Sequence, residues 1–170
     1  MIRIETNRLI IRDVEASDFD RLLLIYNKKE NMQFISSGRY DWNKTELIEK
    51  YQKINKDYAK GSGIFVAEEK KTKTIIGEAG LFNSYNDPKI LEVGYIIDIT
   101  FQKKGFGSEI CTALIHYSFT ELGVKEIIAR MYANNKASVH LSEKVGMNRI
   151  TTGYTSDLKA YYVYSIKKEK

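Results

Sequence analysis

The sequence lacks much of what several classes of protein require. It contains one cysteine and one proline in 170 residues, and a single cysteine, Cys111, excludes an internal disulfide and most cysteine-based metal sites. The longest apolar run near the N-terminus, residues 22–25, is too short to span a membrane or to form the core of a signal peptide. We therefore expect a cytoplasmic protein in which residues 1–170 form a single domain.

Other absences narrow the chemistry. The two histidines, His116 and His140, have no partners at the spacing of a metal site, so we expect no bound metal. No G-x-S-x-G motif is present, which argues against a serine hydrolase. The net charge of +5 favours anionic ligands. The lysines are scattered, however, and form no patch with interleaved aromatic residues, so nucleic-acid binding is not expected.

The apolar periodicity and the turn signals predict a mixed α/β fold in the order β-α-α-β-β-β-α-β-α-β-β. The predicted strands are residues 2–12, 64–68, 74–82, 90–98, 126–132, 147–154 and 161–166. Helices are predicted near residues 19–26, at 45–58, from a glycine loop to Gly123, and from Asn134 or Asn135 to Gly146. The strand at 126–132 should lie parallel to the strand at 90–98, because a helix connects them.

Residues 91–108 carry the strongest functional signal, with the sequence LEVGYIIDITFQKKGFGS. A buried strand leads into a short basic loop with two glycines, and that loop opens a helix. Glycines let the backbone approach an anion closely, and the first N–H groups of a helix have no intrahelical partner. The loop is neither a P-loop nor a dinucleotide fingerprint, which would need a glycine where Ile110 stands. The stretch therefore predicts a ligand that carries phosphates.

Five motifs in order resemble the GNAT family of acyl-CoA-dependent N-acetyltransferases. They are T-x-R-L at residues 6–9, I-G-x-x-G-L at 76–81, E-V-G-Y at 92–95, Q-x-x-G-x-G at 102–107 and N-x-x-S-x-x-x-x-E-K-x-G at 135–146. The last motif is followed by Met147, where phenylalanine is usual in the family. Within the family, these motifs are similar to those of the branch that contains ribosomal-protein alanine and serine acetyltransferases.

The resemblance implies a GNAT fold: a mixed, mostly antiparallel central sheet with helices on both faces and a splayed parallel pair of strands that forms the acyl-CoA cleft. It also implies that the coenzyme A pyrophosphate lies on the glycine loop and that the pantetheine arm contacts Asn135 and the backbone of Ile96 and Ile97. An N–H near Ile97 would polarise the thioester carbonyl. Asn135 has the alternative role of a helix cap without a ligand. The loop residues implied to bind the cofactor are Gln102, Lys103, Lys104, Gly105, Phe106, Gly107 and Ser108.

An amine must lose a proton before it attacks a thioester, so a carboxylate near the sulfur is useful. Glu92 matches the glutamate of the family motif and is the preferred base; Glu78 is the other candidate. If the hairpin between their strands is regular, both carboxylates face one side of the sheet. In related enzymes a tyrosine often stands at the position of Ser142 and protonates the departing thiolate. Ser142, Ser138, a tyrosine such as Tyr132, or water therefore remain candidates for the acid.

These residues predict an enzyme that transfers an acetyl group from acetyl-CoA to a primary amine. The acceptor is a protein N-terminus or a small amine such as a polyamine, an amino acid or an aminoglycoside, and a homodimer is possible. The alternative is a coenzyme A-binding sensor or scaffold without catalysis. The acceptor site should be built by the first two helices and the hairpin loops, and its candidate lining residues are Phe34, Tyr40, Trp42 and Tyr85.

Overall fold

A computed structural model of the protein describes residues 1–35 and 37–169. Within these residues the helices are α1 (Phe19–Tyr26), α2 (Lys29–Met32), α3 (Lys44–Ile54), α4 (Phe106–Thr120) and α5 (Lys136–Lys144). The strands are β1 (Ile2–Glu5), β2 (Leu9–Arg12), β3 (Gly63–Glu69), β4 (Thr74–Phe82), β5 (Ile90–Ile97), β6 (Glu126–Tyr132), β7 (Asn148–Tyr154) and β8 (Ala160–Lys167). In this part of the chain, no helix is both long and apolar enough to cross a membrane.

The eight strands described form one sheet in the order β1-β2-β3-β4-β5-β6-β8-β7. Neighbouring strands are antiparallel except for β5 and β6, which are parallel as predicted. Helix α4 connects these two strands, and a parallel pair needs a crossover connection of this kind. The prediction of a mixed, mostly antiparallel sheet with one parallel pair is confirmed.

Apolar side chains cover both faces of the sheet, so helices pack on both sides, as expected. On the α1 face, which α1 and α3 cover, the core includes Leu22, Tyr26, Leu47, Tyr51 and Ile64. On the α4 face, which α4 and α5 cover, it includes Leu9, Phe65, Leu81, Ile110 and Leu114. Each fully buried leucine contributes roughly 1.5–3 kcal/mol relative to exposure, so both layers are held firmly against the sheet.

Two predicted elements have wrong boundaries, and one short helix was missed. The strand predicted at 2–12 is the hairpin of β1 and β2, because the Thr6 N–H bonds to the Leu9 carbonyl at 2.9 Å and closes a turn. The helix predicted at 45–58 is α-helical to Ile54 and continues as a 3₁₀ helix, Asn55–Lys60. The short helix α2 was not predicted. Residues 5–8 are all polar, so the break between β1 and β2 had a signal in the sequence that the prediction of one strand overlooked.

The C-terminal part of the chain matches its predicted elements more closely. Gly146 has a φ of +86°, the left-handed conformation expected just after α5. The Asn135 side chain accepts a hydrogen bond from the Ser138 N–H at 3.2 Å and so caps the start of α5. The structure thus identifies Asn135, rather than Asn134, as the capping residue.

Candidate functional site

The parallel strands β5 and β6 separate after a short paired segment. Their register joins Ile90 to Glu126, Leu91 to Ile127 and Glu92 to Ile128. Beyond these pairs β5 runs on to Ile97 and β6 to Tyr132, but their register does not continue. The space between them is a wedge, called here the cleft, with its closed end at Glu92 and Ile128. Backbone polar groups along its walls need partners, so the cleft suits an extended polar ligand.

The glycine loop lies at the open end of the cleft, between β5 and α4. Lys103 (φ +60°) and Gly105 (φ +81°) both adopt the left-handed conformation, which turns the chain sharply into the helix. Gly105 occupies the N-cap position of α4, and no side chain caps this end. The N–H groups that open α4 therefore remain available to an anion, and the helix dipole adds about half a positive charge there. The region expected to bind phosphate thus has the required local geometry.

Gly107 has a packing role that the sequence did not reveal. A Cβ atom at this position would lie 2.7 Å from Cδ1 of Leu141 on α5. A side chain at Gly107 would therefore force the Leu141 side chain to move, in addition to crowding a phosphate at the glycine loop. A Cβ atom at Gly105, by contrast, would lie 3.4 Å from Nη2 of Arg8, and its left-handed φ is the main constraint.

Two of the predicted ligand-binding side chains are engaged with the loop's own backbone. The Gln102 side chain donates to the Ile97 carbonyl at 2.9 Å. The Lys104 ammonium donates to the Thr100 carbonyl at 2.8 Å. These bonds hold the loop against the end of β5 and shape the backbone that would surround a phosphate. Direct contact between these side chains and a ligand stays a prediction.

The β1–β2 turn braces the first turn of α4, a contact that was not predicted from the sequence. Glu109 accepts hydrogen bonds from the Thr6 hydroxyl at 2.6 Å and from the Arg8 N–H and Nε at 2.9 and 2.6 Å. Arg8 also donates to the Lys104 carbonyl at 2.9 Å. Burial alone would raise the pKa of Glu109, but the bonds from Thr6 and Arg8 outweigh it and lower the pKa. The T-x-R-L motif was the available signal for this brace.

The register of β4 and β5 confirms that Glu78 and Glu92 share one face of the sheet. It pairs Glu78 with Ile96, Gly80 with Gly94, and Phe82 with Glu92. The two glutamates are four residue positions apart along the strands, or roughly 13 Å. They therefore line the same side of the sheet but cannot contact one substrate nitrogen together.

The two carboxylates have different surroundings. Glu78 is buried, and it accepts hydrogen bonds from the hydroxyls of Tyr26, at 2.6 Å, and Tyr51. Burial raises the pKa values of both tyrosines well above 10, and the charge of Glu78 raises them further. Tyr26 in turn accepts a hydrogen bond from Lys50. Glu78 is thus enclosed by fixed partners and has little room for a substrate.

Glu92 lies instead at the closed end of the cleft, with its side chain 18% exposed. Its Oε2 is 4.0 Å from Nη2 of Arg130 on β6. Arg130 also donates to the Tyr85 hydroxyl at 3.3 Å, and both residues are exposed. Tyr85 was among the predicted lining residues of the acceptor site, whereas Arg130 was missed because nothing in its local sequence marks it.

On the α4 face of the sheet, hydroxyl groups of β5 and α5 lie close together. The Tyr95 hydroxyl lies 3.4 Å from Oγ of Ser138 on α5, and Ser142 is buried one turn further along that helix. Burial raises the pKa of Tyr95 to about 12, so its hydroxyl keeps its proton at neutral pH. Ser138 and Ser142 share a helix face as predicted, and Tyr95 joins them as a residue that the sequence did not single out.

Cys111 and Asp98 complete the surroundings of the site. Cys111 is buried within α4, and burial raises the pKa of its thiol to about 12. The Asp98 carboxylate is fully buried and forms ion pairs with Arg21 and Lys28, at N···O distances of 2.6 and 2.8 Å. It thereby ties the helices of the α1 face to the segment that leads into the glycine loop.

Comparison with known proteins agrees with this geometry. A family model described as acetyltransferase (GNAT) domain matches residues 8–148. The chain is 26% identical over 148 residues to YnaD, an uncharacterized N-acetyltransferase of Bacillus subtilis (strain 168), covering 87% of this chain and 84% of YnaD. It is 27% identical over 169 residues to the spermidine N(1)-acetyltransferase of Vibrio cholerae serotype O1, covering 95% of each. Its fold matches that of RimL, the ribosomal L7/L12 α-N-protein acetyltransferase, solved in complex with coenzyme A, with a TM-score of 0.86, 16% identity and 98% coverage of each chain.

Proposed function

This chain belongs to the acetyltransferase (GNAT) domain family and is an acyltransferase that uses acetyl-CoA; from this premise we propose that it acetylates a primary amine by direct attack on the thioester, with Glu92 as the general base. The observation that carries the proposal is the cleft between β5 and β6. Its open end lies beside the uncapped start of α4, and its closed end lies at Glu92.

The shape of the cleft limits where the thioester can lie. A pyrophosphate at the glycine loop directs the pantetheine arm into the cleft along Ile96 and Ile97. The arm must stop where β5 and β6 become hydrogen-bonded to each other, at Glu92 and Ile128. Ile97 is five residues from Glu92, or roughly 16 Å along the strand. We therefore assign the backbone of Ile97 to the arm and place the N–H that polarises the thioester carbonyl nearer the closed end, within residues 93–95.

The two faces of the sheet then serve the two halves of the reaction. On the α1 face the ammonium gives a proton to Glu92, directly or through one water, and the free amine attacks the carbonyl carbon. The new C–N bond forms and the nitrogen gives its second proton to water, while the C–S bond breaks and its electron pair stays on sulfur. On the α4 face the hydroxyls of Tyr95, Ser138 and Ser142 lie where the thiolate would leave. Glu92 is a better candidate base than Glu78, because Tyr26 and Tyr51 already occupy Glu78.

The pKa of Tyr95, compared with that of a thiol, indicates which role its hydroxyl can have. A phenol with a pKa of about 12 is a much weaker acid than a thiol, whose pKa is about 8.5 in cysteine. Full proton transfer from Tyr95 to the thiolate would therefore be unfavourable. Tyr95 is better suited to donate a hydrogen bond to the developing charge, while the thiolate takes its proton from water. Ser138 and Ser142 are further candidate donors on this face.

The experiment that tests this function measures acetylation and coenzyme A binding together. With a panel of amines, Glu92→Gln should lower kcat by about a hundredfold or more, while calorimetry shows unchanged binding of coenzyme A. Glu121→Gln, on the exposed end of α4, is the matched control and should behave as the parent protein. Glu78→Gln should lower the free energy of unfolding, because it disturbs a buried network, and should reduce kcat less than Glu92→Gln does.

The alternative function is a coenzyme A-binding sensor or scaffold. Tight coenzyme A binding with no acetylation of any amine would favour it and would contradict our proposal. The hydroxyl groups on the α4 face and the partly exposed carboxylate at the closed end favour catalysis over a sensor or scaffold role. A cytoplasmic location and a homodimer remain predictions, as does the organisation of residues 1–170 as one domain.

A further inference from the structure

We propose that the acceptor is an amino acid, a small molecule whose primary amine lies beside Glu92 while its carboxylate binds Arg130. This inference rests on the proposed function, and it specifies the substrate class of the same site. The observation behind it is a carboxylate and a guanidinium 4.0 Å apart at the closed end of the cleft, both on the α1 face.

Arg130 is placed there by the register of the strands. Glu92 and Ile128 form the last pair between β5 and β6, and paired residues in a sheet point to the same face. Arg130 is two residues beyond Ile128, so it points to that face as well and is the next such position of β6 along the open cleft. An amine that reaches the thioester from the α1 face must pass both side chains.

The Arg130 guanidinium has binding capacity that its protein partners do not use. A guanidinium offers five N–H donors. Within residues 1–35 and 37–169, the contacts of Arg130 with polar side chains are the bond to Tyr85 and the approach to Glu92. Other arginines hold carboxylates much more closely, at 2.6–2.8 Å: Arg3 with Asp13, Arg8 with Glu109, Arg12 with Asp18, Arg21 with Asp98 and Arg39 with Asp41. The Glu92–Arg130 pair is therefore loose enough to admit a ligand between its members.

The chemistry of the pair matches a zwitterion. The amine and the carboxylate of an α-amino acid are attached to one carbon atom, so both can contact opposite charges that lie this close together. Arginine binds a carboxylate through two parallel hydrogen bonds, which fixes the orientation of the ligand as well as its charge. Such a contact would direct the amine towards Glu92 and the thioester.

The charges around the site disfavour a polyamine. Such a ligand needs several accessible carboxylates, but of the two glutamates on this face of β4 and β5, Glu78 is enclosed by tyrosines. Lys50 also lies beside Glu78, because it donates to the Tyr26 hydroxyl and is 4.3 Å from the Tyr26 ring. The positive charge of Lys50 disfavours a multiply charged cation, whereas an amino acid with an uncharged side chain carries no net charge.

The test compares substrates that differ at one group. The twenty common amino acids are screened with acetyl-CoA, and the best is compared with its amide, its decarboxylated amine, a peptide that begins with it, and spermidine. The free amino acid should exceed its amide by about ten- to a hundredfold in kcat/KM, the effect of one charge-assisted contact. Arg130→Met should bring this ratio close to one, and Arg130→Lys should retain part of it. Arg149→Met, whose guanidinium stacks on Tyr162 at 4.6 Å, is the control and should keep the ratio.

A second measurement does not depend on turnover. Calorimetry of the same amino acid with protein saturated with coenzyme A should show weaker binding to Arg130→Met, by a similar factor, with no change for Arg149→Met. Equal or faster acetylation of the amide, the peptide or spermidine by the parent protein would overturn the substrate assignment alone, as would an unchanged ratio in Arg130→Met. Failure to acetylate any amine, with coenzyme A still bound, would overturn the proposed function as well.

Discussion

At the scale of single residues, different surroundings in the fold distinguish groups of the same chemical type. Glu78 and Glu92 lie on the same face of the sheet, but one is enclosed by two tyrosine hydroxyls and the other lies at the closed end of the cleft. Tyr95 shows the same effect for hydroxyls. Its ring packs against the core of the α4 face, and its oxygen reaches Ser138.

Tyr95→Phe tests the role of this hydroxyl. If Tyr95 donates a hydrogen bond to the developing thiolate, its removal should lower kcat about tenfold, since such a bond contributes about 1–1.5 kcal/mol. Because the pKa of about 12 keeps the hydroxyl protonated, the ratio of the two kcat values should stay constant between about pH 6 and pH 9. Steady-state kinetics across this range provide the measurement.

Tyr154→Phe is a suitable control, because Tyr154 is 68% exposed on the edge strand β7. It should leave kcat unchanged. A different outcome for Tyr95→Phe, namely a higher KM for acetyl-CoA with kcat unchanged, would mean that Tyr95 only packs against the pantetheine arm.

At the scale of elements, the start of α4 differs from the starts of α3 and α5. Asn43 and Asn135 cap those two helices with their side chains, whereas α4 begins at Gly105 without such a cap. Its first turn is held from outside, by the Arg8 and Thr6 bonds to Glu109. The helix end is thus rigid but open, which is the combination that anion binding requires.

Gly105→Ala tests whether this helix start binds the phosphates. Alanine at a left-handed φ costs about 1–2 kcal/mol, which should lower the free energy of unfolding and distort the loop. We expect the Kd of coenzyme A to rise about tenfold or more, since the loop amides lose their alignment. Calorimetry measures the Kd, and urea denaturation measures the stability.

Gly123→Ala separates the loss of stability from the loss of coenzyme A binding. Gly123 has a similar φ of +66°, lies beyond the opposite end of α4, and has open space around an added Cβ atom. This variant should lose a similar amount of stability without a change in the Kd of coenzyme A. Equal Kd values for both variants would contradict the assignment of the glycine loop.

At the scale of the whole molecule, Asp98 ties the helices of the α1 face to the segment that leads into the glycine loop. It follows β5 directly, binds Arg21 of α1 and Lys28, and accepts a hydrogen bond from the Thr100 N–H before the glycine loop. Part of the α1 face and the entry to the glycine loop are therefore anchored at one buried carboxylate. Burial alone would raise its pKa, but the bonds from Lys28, Thr100 and Arg21 outweigh it and lower the pKa.

Asp98→Asn should therefore show a stability loss that depends on pH. Breaking a buried ion pair costs about 3–5 kcal/mol, and we expect a loss in the lower part of this range at pH 7 because both cationic partners are partly exposed. A carboxylate with a lowered pKa in the folded state stabilises the protein above its unfolded pKa of about 3.9. That contribution disappears as the pH falls through the folded pKa.

Urea denaturation at several pH values measures this effect. The difference between the parent protein and Asp98→Asn should be largest near neutral pH and should shrink below about pH 3.9. Asp20→Asn is a control, because Asp20 is exposed and pairs with Lys44 only at the surface; surface pairs contribute about 0–1 kcal/mol. A difference between parent and Asp98→Asn that does not vary with pH would exclude the ionised carboxylate as its source.

The amino-acid sequence by itself determined the order of most elements, the parallel pairing of β5 and β6, and the family. These follow from local rules: apolar period, turn residues, the right-handed crossover, and motifs such as the one at residues 102–107. The position of Glu78 and Glu92 on one face of the sheet could also be predicted, since side chains alternate along a strand and the hairpin is regular.

Only the tertiary structure decided which of these residues act together. Four contacts join distant parts of the chain. They are the bonds of Tyr26 and Tyr51 to Glu78, the approach of Arg130 to Glu92, the contact of Tyr95 with Ser138, and the ion pair of Arg21 with Asp98. Such contacts depend on where the helices pack on the sheet and on where two strands separate. A local pattern identifies a residue's type and face, but its partner across the fold, and hence its chemistry, is set by packing.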